Sequence, residues 1–461
     1  MLETSRLLQR STNEPLAWLT QALGDKPTQI TGQQFLSDVA LVAQRLPDNA
    51  QHVINLCDNR YVFLVSICAV IVRKQCNLLP PNKNVVTQLE LHARYQDSYI
   101  VHDGSVELAP DINSIDLSEF DWSNAETQQA PENPQVALDH IALISFTSGS
   151  TGESKANIKT WRTLQQSSAI NAQHMLPDQE RTFYHLATVP GQHMWGLETS
   201  VIMALFANVC LVDARPLFPH DILQTLVNMP SPKILIATPL HLRALSQSVN
   251  DSAQDTPELA CVLTATAPVD SALATRVEAQ FSTTVREVYG CSEVGSMAWR
   301  APSKSNTWNG FKGLGFEQTA EHRVTVSSDY LPAPVVLDDS VNLMKNRQFT
   351  LEGRNSDQIK IAGKRGSLYD VNRVLNTFDG LVDGVVIFPE QSRLVPRLVA
   401  IVVLSDIQLK QALQTHFREH LDAAFVPRPI FVVDKLPRQE NGKLNKAGLN
   451  EFYQQLSAKK S

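Results

Sequence analysis

Short apolar runs alternate with longer helical patterns along most of the chain. "HVINLCD" (His52–Asp58) reads as a strand. It is followed by "YVFLVSICAVIV" (Tyr61–Val72), apolar at nearly every position and ended by Arg73 and Lys74. A bilayer needs about 20 such residues, so this run predicts a helix buried on all sides, not a membrane span. "NLLPPN" (Asn77–Asn82) is a stop, and "SNAETQQAPENP" (Ser123–Pro134) a polar loop. "IALIS" (Ile141–Ser145), "YHLATVP" (Tyr184–Pro190), "NVCLVD" (Asn208–Asp213) and "KILIATP" (Lys233–Pro239) are brief β-like runs. "PLHLRALSQSV" (Pro239–Val249) has a helical pattern, and "ELACVLTATAP" (Glu258–Pro268) is a strand running into a loop. Strands alternating with helices predict an α/β fold with several parallel strands.

The pattern changes after "LEGRNSDQIK" (Leu351–Lys360). A strand, a helix, "GVVIFP" (Gly384–Pro389), "PRLVAIVVL" (Pro396–Leu404), a helix near Gln408–Leu421, "PIFVVDKLP" (Pro429–Pro437) and a last helix form a smaller α+β unit. The expected architecture is a large multi-sheet α/β domain over residues 1–355 and a small α+β domain over residues 356–461. No internal repeat or low-complexity tract occurs.

Composition narrows the class. Of 461 residues 43% are hydrophobic and 19% charged, enough apolar material for a large core and not the signature of disorder. A net charge of −7 argues against a nucleic-acid binder. Cys57, Cys68, Cys76, Cys210, Cys261 and Cys291 form no CxxC pair, which fits a reduced, cytoplasmic protein better than a disulfide framework. The first residues, "MLETSRLLQRSTNEPLAW", lack the apolar segment of a secretory signal.

The candidate chemistry begins at "ISFTSGSTGESKANIK" (Ile144–Lys159), where an apolar strand runs into glycines, hydroxyls and one lysine. Glycines let the backbone approach a ligand, and successive N–H groups make a nest for anionic oxygens. The phosphate loop G-x-x-x-x-G-K-S/T does not fit, because Lys155 is followed by Ala156. His416 and His420 are spaced i, i+4, but Glu419 is misplaced for HExxH and no third ligand is evident. A solvated helix face accounts for them.

Five motifs, in order from Phe146 to Lys446, resemble those of the adenylate-forming superfamily, which comprises acyl-CoA and aryl-CoA synthetases, peptide-synthetase adenylation domains and luciferases. Phe146–Lys155 is similar to Y/F-T-S-G-S/T-T-G-x-P-K, with Ser154 in place of proline. "PGQHMWG" (Pro190–Gly196) is similar to P-x-x-H-x-x-G, and "VYGCSEVG" (Val288–Gly295) to Y-G-x-S/T-E. "GRNSDQIKIAG" (Gly353–Gly363) is similar to G-R-x-D-D-x-I-K-x-x-G, and "LPRQENGKLNK" (Leu436–Lys446) to the closing P-R-x-x-x-G-K. The first 140 or so residues carry no motif. Departures are Ser356 at the hinge position, Gly366 for Ile or Val, "DVN" (Asp370–Asn372) for Glu-Ile-Glu, and a short stretch from Val294 to Asp338.

The resemblance implies an acid–thiol ligase that uses ATP and Mg²⁺. A carboxylic acid is activated as an acyl-adenylate and passed to the thiol of CoA or of an acyl carrier protein, and a small mobile domain swings between the two steps. It implies that Thr147, Ser148, Ser150, Thr151 and Lys155 hold the β- and γ-phosphates, with Gly149 and Gly152 in the same loop. Ser292 touches the α-phosphate, Glu293 binds the metal, and Tyr289, beside Gly290, stacks on adenine. Thr266 and Ala267 lie on the adenine side, with Ala265 shared between the adenine and acyl sites. Asp339 takes the ribose, with Asp338 one residue out of register, and Arg354 is the second ribose contact. Thr264, His193, Trp195 and Gly196 line the acyl site, and His193 shifts between the half-reactions. Lys443 assists adenylation and Ser356 is the hinge. Two other readings stand beside this one: an amine acceptor, and an ATP-binding homologue that serves as a partner or regulator without catalysis. The acid and the oligomeric state are open.

Overall fold

The computed structural model describes residues 3–20, 27–104, 106–118, 120, 132–148, 154–250, 256–320, 323–354, 357–361, 364–389, 397–438, 444 and 446–458. The N-terminal part is built on a six-stranded and an eleven-stranded sheet. The smaller sheet runs Ser154–Thr160, Ile141–Ser148, Cys76–Leu79, His52–Asn55, Ser98–His102, Ser114–Asp116 across its width. All of its pairings are parallel except the hairpin of Ile141–Ser148 with Ser154–Thr160. In the larger sheet Pro15–Leu19, Val209–Val212, Phe183–Ala187, Lys233–Ala237, Cys261–Thr264 and Val285–Cys291 are parallel, and antiparallel strands extend both edges.

Successive side chains on a strand point to opposite faces, and the cores follow that alternation. Ile234 and Ile236 face one core, Leu235 and Ala237 another. Val53, Val101 and Leu143 of the smaller sheet share the first core with Ile234, whereas Ile54, Ile100 and Ile144 face a third with Leu91. Five layers result, helices alternating with sheets. The central layer holds the helix Arg60–Val72, buried from Arg60 to Ile71 as its apolar pattern predicts, with Asn59 capping the amides of Tyr61 and Val62. Trp161–Met175 shares that layer. Strands buried on both faces read as continuous apolar runs such as "ILIA" (Ile234–Ala237).

After Arg354 the chain leaves the large sheet. A hairpin, Gln358–Ile361 with Lys364–Ser367, precedes the helix Leu368–Asn376, and Leu381–Ile387, Val399–Leu404 and Ile430–Val432 form a three-stranded sheet with its own core. The architecture is therefore mixed α/β, with a large multi-sheet N-terminal part and a smaller C-terminal one. His416 and His420 lie on the helix Lys410–His420, and His416 Nε2 sits 3.1 Å from the Val374 carbonyl and 3.2 Å from the Thr377 hydroxyl. Among the described residues no three His, Cys, Asp or Glu side chains cluster as metal ligands, and no helix is long and apolar enough to cross a membrane.

Candidate active site

Phe183–Ala187, Cys261–Thr264 and Val285–Cys291 run in the same direction, so their carboxyl ends open on one edge of the large sheet. Residues at and beyond those ends surround a cavity of about 270 Å³. This crevice is where open α/β sheets hold ligands. His193 and Trp195 follow the first strand, Ala265, Thr266 and Ala267 the second, and the third brings Tyr289, Gly290 and Ser292 to the wall. Thr266 has φ +80°. A left-handed backbone at a β-branched residue costs on the order of 1–3 kcal/mol, and such strain concentrates where a loop is held for a ligand.

One end of the cavity is aromatic. The Tyr289 ring lies 5.6 Å from that of Trp308 and 5.9 Å from that of Phe349, and its hydroxyl donates to Asp339 at 2.6 Å. Asp339 lines the cavity, whereas Asp338 is exposed and is not among the lining residues. Arg354 stands opposite Asp339 in the antiparallel register, and its side chain lies outside the described atoms. Glu287, also on the wall, is buried and accepts from Arg300 Nε at 2.7 Å and from the Val269 amide at 3.3 Å. Burial pushes its carboxyl up to about 7 against the opposing Arg300 charge. This acid ties the Ala265–Val269 loop to the strand beneath it.

The other sheet supplies the cation. In the hairpin Lys155 pairs with Thr147, and its ammonium reaches Glu293 Oε1 at 2.6 Å. The two side chains are 62% and 31% exposed, so the pair faces solvent beside Ser292. Burial works against the Glu293 charge, but the hydrogen bond and charge of Lys155 outweigh it and hold the carboxyl below its ordinary value. The hydrogen bond and charge of Glu293 in turn raise Lys155 above its own. Both groups stay charged at neutral pH. A half-exposed, ionised carboxylate at a cavity edge fits a hard divalent cation, and an exposed ammonium beside it fits phosphate oxygens.

Other expected residues fall elsewhere. Thr264 is fully buried at its strand end and is not among the lining residues. Gly196, in the short helix Met194–Leu197, is not there either: a Cβ would sit 2.1 Å from the Pro190 carbonyl oxygen, so this glycine allows a close backbone approach behind the wall. Thr147 and Ser148 end the strand Ile141–Ser148, with side chains outside the described atoms. Gly149, Ser150, Thr151, Gly152, Ser356 and Lys443 lie outside the described residues. Sequence reasoning missed Asp357 and Tyr369, which the small domain adds to the wall, and Glu198, which lines it with His193 and Trp195. Their contacts are made across long stretches of chain. The one local signal was strand parity at Lys159: it shares the side of Lys155 and is buried, while Ile158 between polar neighbours is 52% exposed.

Known proteins give an independent comparison. The family model for the AMP-binding enzymes matches residues 38–316, and that for the AMP-binding enzyme C-terminal domain matches residues 371–443. A 4-coumarate–CoA ligase of Halorhodospira halophila is 28% identical over 321 residues, 67% of this chain and 76% of that one. Among solved structures, the o-succinylbenzoate coenzyme A synthetase of Bacillus subtilis, in complex with ATP and magnesium ion, superposes with a TM-score of 0.75 at 17% identity, covering 95% of this chain and 96% of that one. The amide bond synthetase McbA of Marinactinospora thermotolerans gives 0.74 at 17%, covering 96% and 97%. These two likenesses establish the fold. The family models span most of the chain, with the motif residues inside or beside them, and the chain belongs to the AMP-binding enzymes, the adenylate-forming superfamily.

Proposed function

We propose that the protein joins a carboxylic acid to the α-phosphate of ATP, releasing pyrophosphate, and then passes the acyl group to a thiol, releasing AMP. The thiol is that of CoA or of the phosphopantetheine arm of an acyl carrier protein. The observation that carries this reading is the meeting of Lys155 and Glu293, from different sheets, beside the cavity lined by Tyr289 and Asp339. Both reactants are anionic, so the site must offset their repulsion and stabilise charge gained by the phosphates.

In this reading Lys155 and the donors of Thr147–Gly152 hold the departing phosphates, and Ser292 faces the α-phosphate. Asp339 and Arg354 take the ribose hydroxyls. Adenine lies between the Thr266–Ala267 loop and Tyr289. Glu293 would hold Mg²⁺, which when bound supplies positive charge to the phosphates. His193, Trp195 and Ala265 border the acid, with Gly196 and Thr264 shaping the wall from behind. Their mixture of bulk and small side chains favours an aromatic or medium-length acid over a very long chain. Lys443 serves adenylation, and the small domain then turns about Ser356 for thiol attack. Making AMP the leaving group before that attack divides one hard step into two easier ones. The fold shared with an amide bond synthetase supports a second reading, in which an amine is the acceptor.

Pyrophosphate exchange with a panel of acids tests adenylation, and product masses after adding CoA, a carrier protein or amines identify the acceptor. Exchange with an aromatic or medium-length acid and a thioester product are expected. Exchange that no acid raises above the acid-free rate contradicts adenylation, and an amide product contradicts the thiol.

Lys155→Ala gives a second expectation. The side chain is largely exposed, and exposed ion pairs contribute about 0–1 kcal/mol to stability. The variant therefore melts near wild type, while its kcat/KM for ATP falls at least about tenfold, a loss of ~1.4 kcal/mol of transition-state binding. Unchanged ATP kinetics would remove this lysine from the site.

A further inference from the structure

Glu293 lies in the turn between Val285–Cys291 and Gly295–Arg300, and two buried side chains of opposite charge hold that turn at its ends. On Ser154–Thr160, Lys155 and Lys159 share one face, since side chains alternate along a strand. Lys155 reaches the Glu293 carboxylate at 2.6 Å, and Lys159 Nζ donates to the Glu293 backbone carbonyl at 2.9 Å. Three residues beyond that carbonyl the chain meets Glu198. Its Oε2 accepts from the Ser296 amide at 3.0 Å and the Ser296 hydroxyl at 2.8 Å. Gly295 in between has φ +93°, and a Cβ there would lie 2.1 Å from Glu198 Oε1, so the carboxylate is pressed against bare backbone.

Lys159 and Glu198 are 3% and 4% exposed. Burial lowers the Lys159 ammonium and raises the Glu198 carboxyl, each opposed by the charge of the other. Buried charges of this kind are poor stabilisers, because apolar side chains of similar volume often do as well or better. Their geometry here serves placement. A cation takes the carbonyl of the residue that carries the carboxylate, and an anion takes the amide and hydroxyl three residues later. We propose that Lys159 and Glu198 are positioning residues that clamp the Glu293–Ser296 turn and fix the Glu293 carboxylate in the direction of the metal–ATP complex. The proposal rests on the assignment of Glu293 to Mg²⁺ made above. It differs from a contact to substrate, because Lys159 acts on the backbone of Glu293 and Glu198 on Ser296.

The test is calorimetric titration of the full-length protein with ATP, in excess Mg²⁺ and again in EDTA. Wild type binds ATP more tightly with Mg²⁺ than without. Lys159→Met keeps the aliphatic stem and loses the ammonium. Groups that orient a metal ligand typically control about 10–100-fold in metal affinity, so the Mg²⁺-dependent gain should shrink about tenfold or more while the EDTA affinity stays within about twofold. Glu198→Gln keeps an acceptor for Ser296 and should retain more of the gain than Glu198→Ala. Should Lys159→Met not fold, the double variant Lys159→Met/Glu198→Gln leaves neither charge uncompensated and carries the same expected loss. A full Mg²⁺ gain in the folded Lys159→Met or double variant overturns the clamp. Equal weakening in both titrations, with a lowered melting temperature, also overturns it, as a structural role alone. A wild type without any Mg²⁺ gain overturns the metal assignment itself, and the clamp with it.

Discussion

Glu293→Gln is expected to reduce acid-dependent pyrophosphate exchange by about 10²–10³-fold, the range seen when one preorganised electrostatic group is removed from an active site. Glutamine has nearly the shape of glutamate and keeps one oxygen, so the turn between Val285–Cys291 and Gly295–Arg300 is undisturbed. Lys159 still finds the carbonyl of residue 293, because that contact is to backbone. The charge alone is lost, and with it the donor that a hard divalent cation prefers. The ion pair with Lys155 is partly exposed, so its loss changes stability by no more than about 1 kcal/mol. Melting curves beside Mg²⁺-dependent exchange check both halves of the expectation. Exchange close to wild type, with normal Mg²⁺ dependence, would mean that a different residue holds the ion.

Much of the architecture was readable from local pattern. "ILIA" (Ile234–Ala237) and "CVL" (Cys261–Leu263) are apolar throughout because helices cover both faces of a parallel sheet, and the Arg60–Val72 helix is apolar nearly all round because two sheets enclose it. Local pattern could not reveal which strands lie side by side. The large sheet places Phe183–Ala187 between Val209–Val212 and Lys233–Ala237, an order set by crossovers. The loop before Lys155 invites an anion-binding reading because glycines and hydroxyls suggest that chemistry by themselves. Its partner was not: Lys155 meets Glu293 across 138 residues. Glu198 looks in sequence like any helical glutamate, and Ser296 and Lys159, brought from two distant strands, give it a place. Tyr369 opens the helix Leu368–Asn376 of the small domain, and nothing local to it announces a cavity wall in the large one. Gly196 and Thr264 show the opposite error. Their place in the sequence suggested the acyl wall, but the close approach to Pro190 and the burial of Thr264 keep both residues behind it.

The second large effect concerns Lys443. It lies in the polar segment "ENGK", in sequence between Arg438 and Leu444, which pair across a bridge. Neither flanking residue lines the cavity. A lysine there that served only as a solvated surface charge could be replaced by alanine at almost no cost. In the proposed mechanism its ammonium is carried to the reacting carboxylate and α-phosphate during adenylation alone. It offsets charge that builds in that transition state, worth about 3–4 kcal/mol, or ~10²–10³ in rate. During thiol attack the small domain has turned and the lysine takes no part. Lys443→Ala should therefore slow acyl-adenylate formation by that factor and leave thioester formation from supplied acyl-adenylate near the wild-type rate.

In the proposed mechanism one chain activates an acid with ATP and completes the transfer after a change of domain orientation. Its most direct measurement is pyrophosphate exchange, with and without acid, beside single-turnover thioester formation from supplied acyl-adenylate, on wild type and Lys443→Ala. Wild type should show exchange only when acid is present, the variant should show exchange lowered about 10²–10³-fold, and thioester formation should be alike in the two proteins. Exchange without acid, or both steps of Lys443→Ala falling together or neither falling, would contradict it.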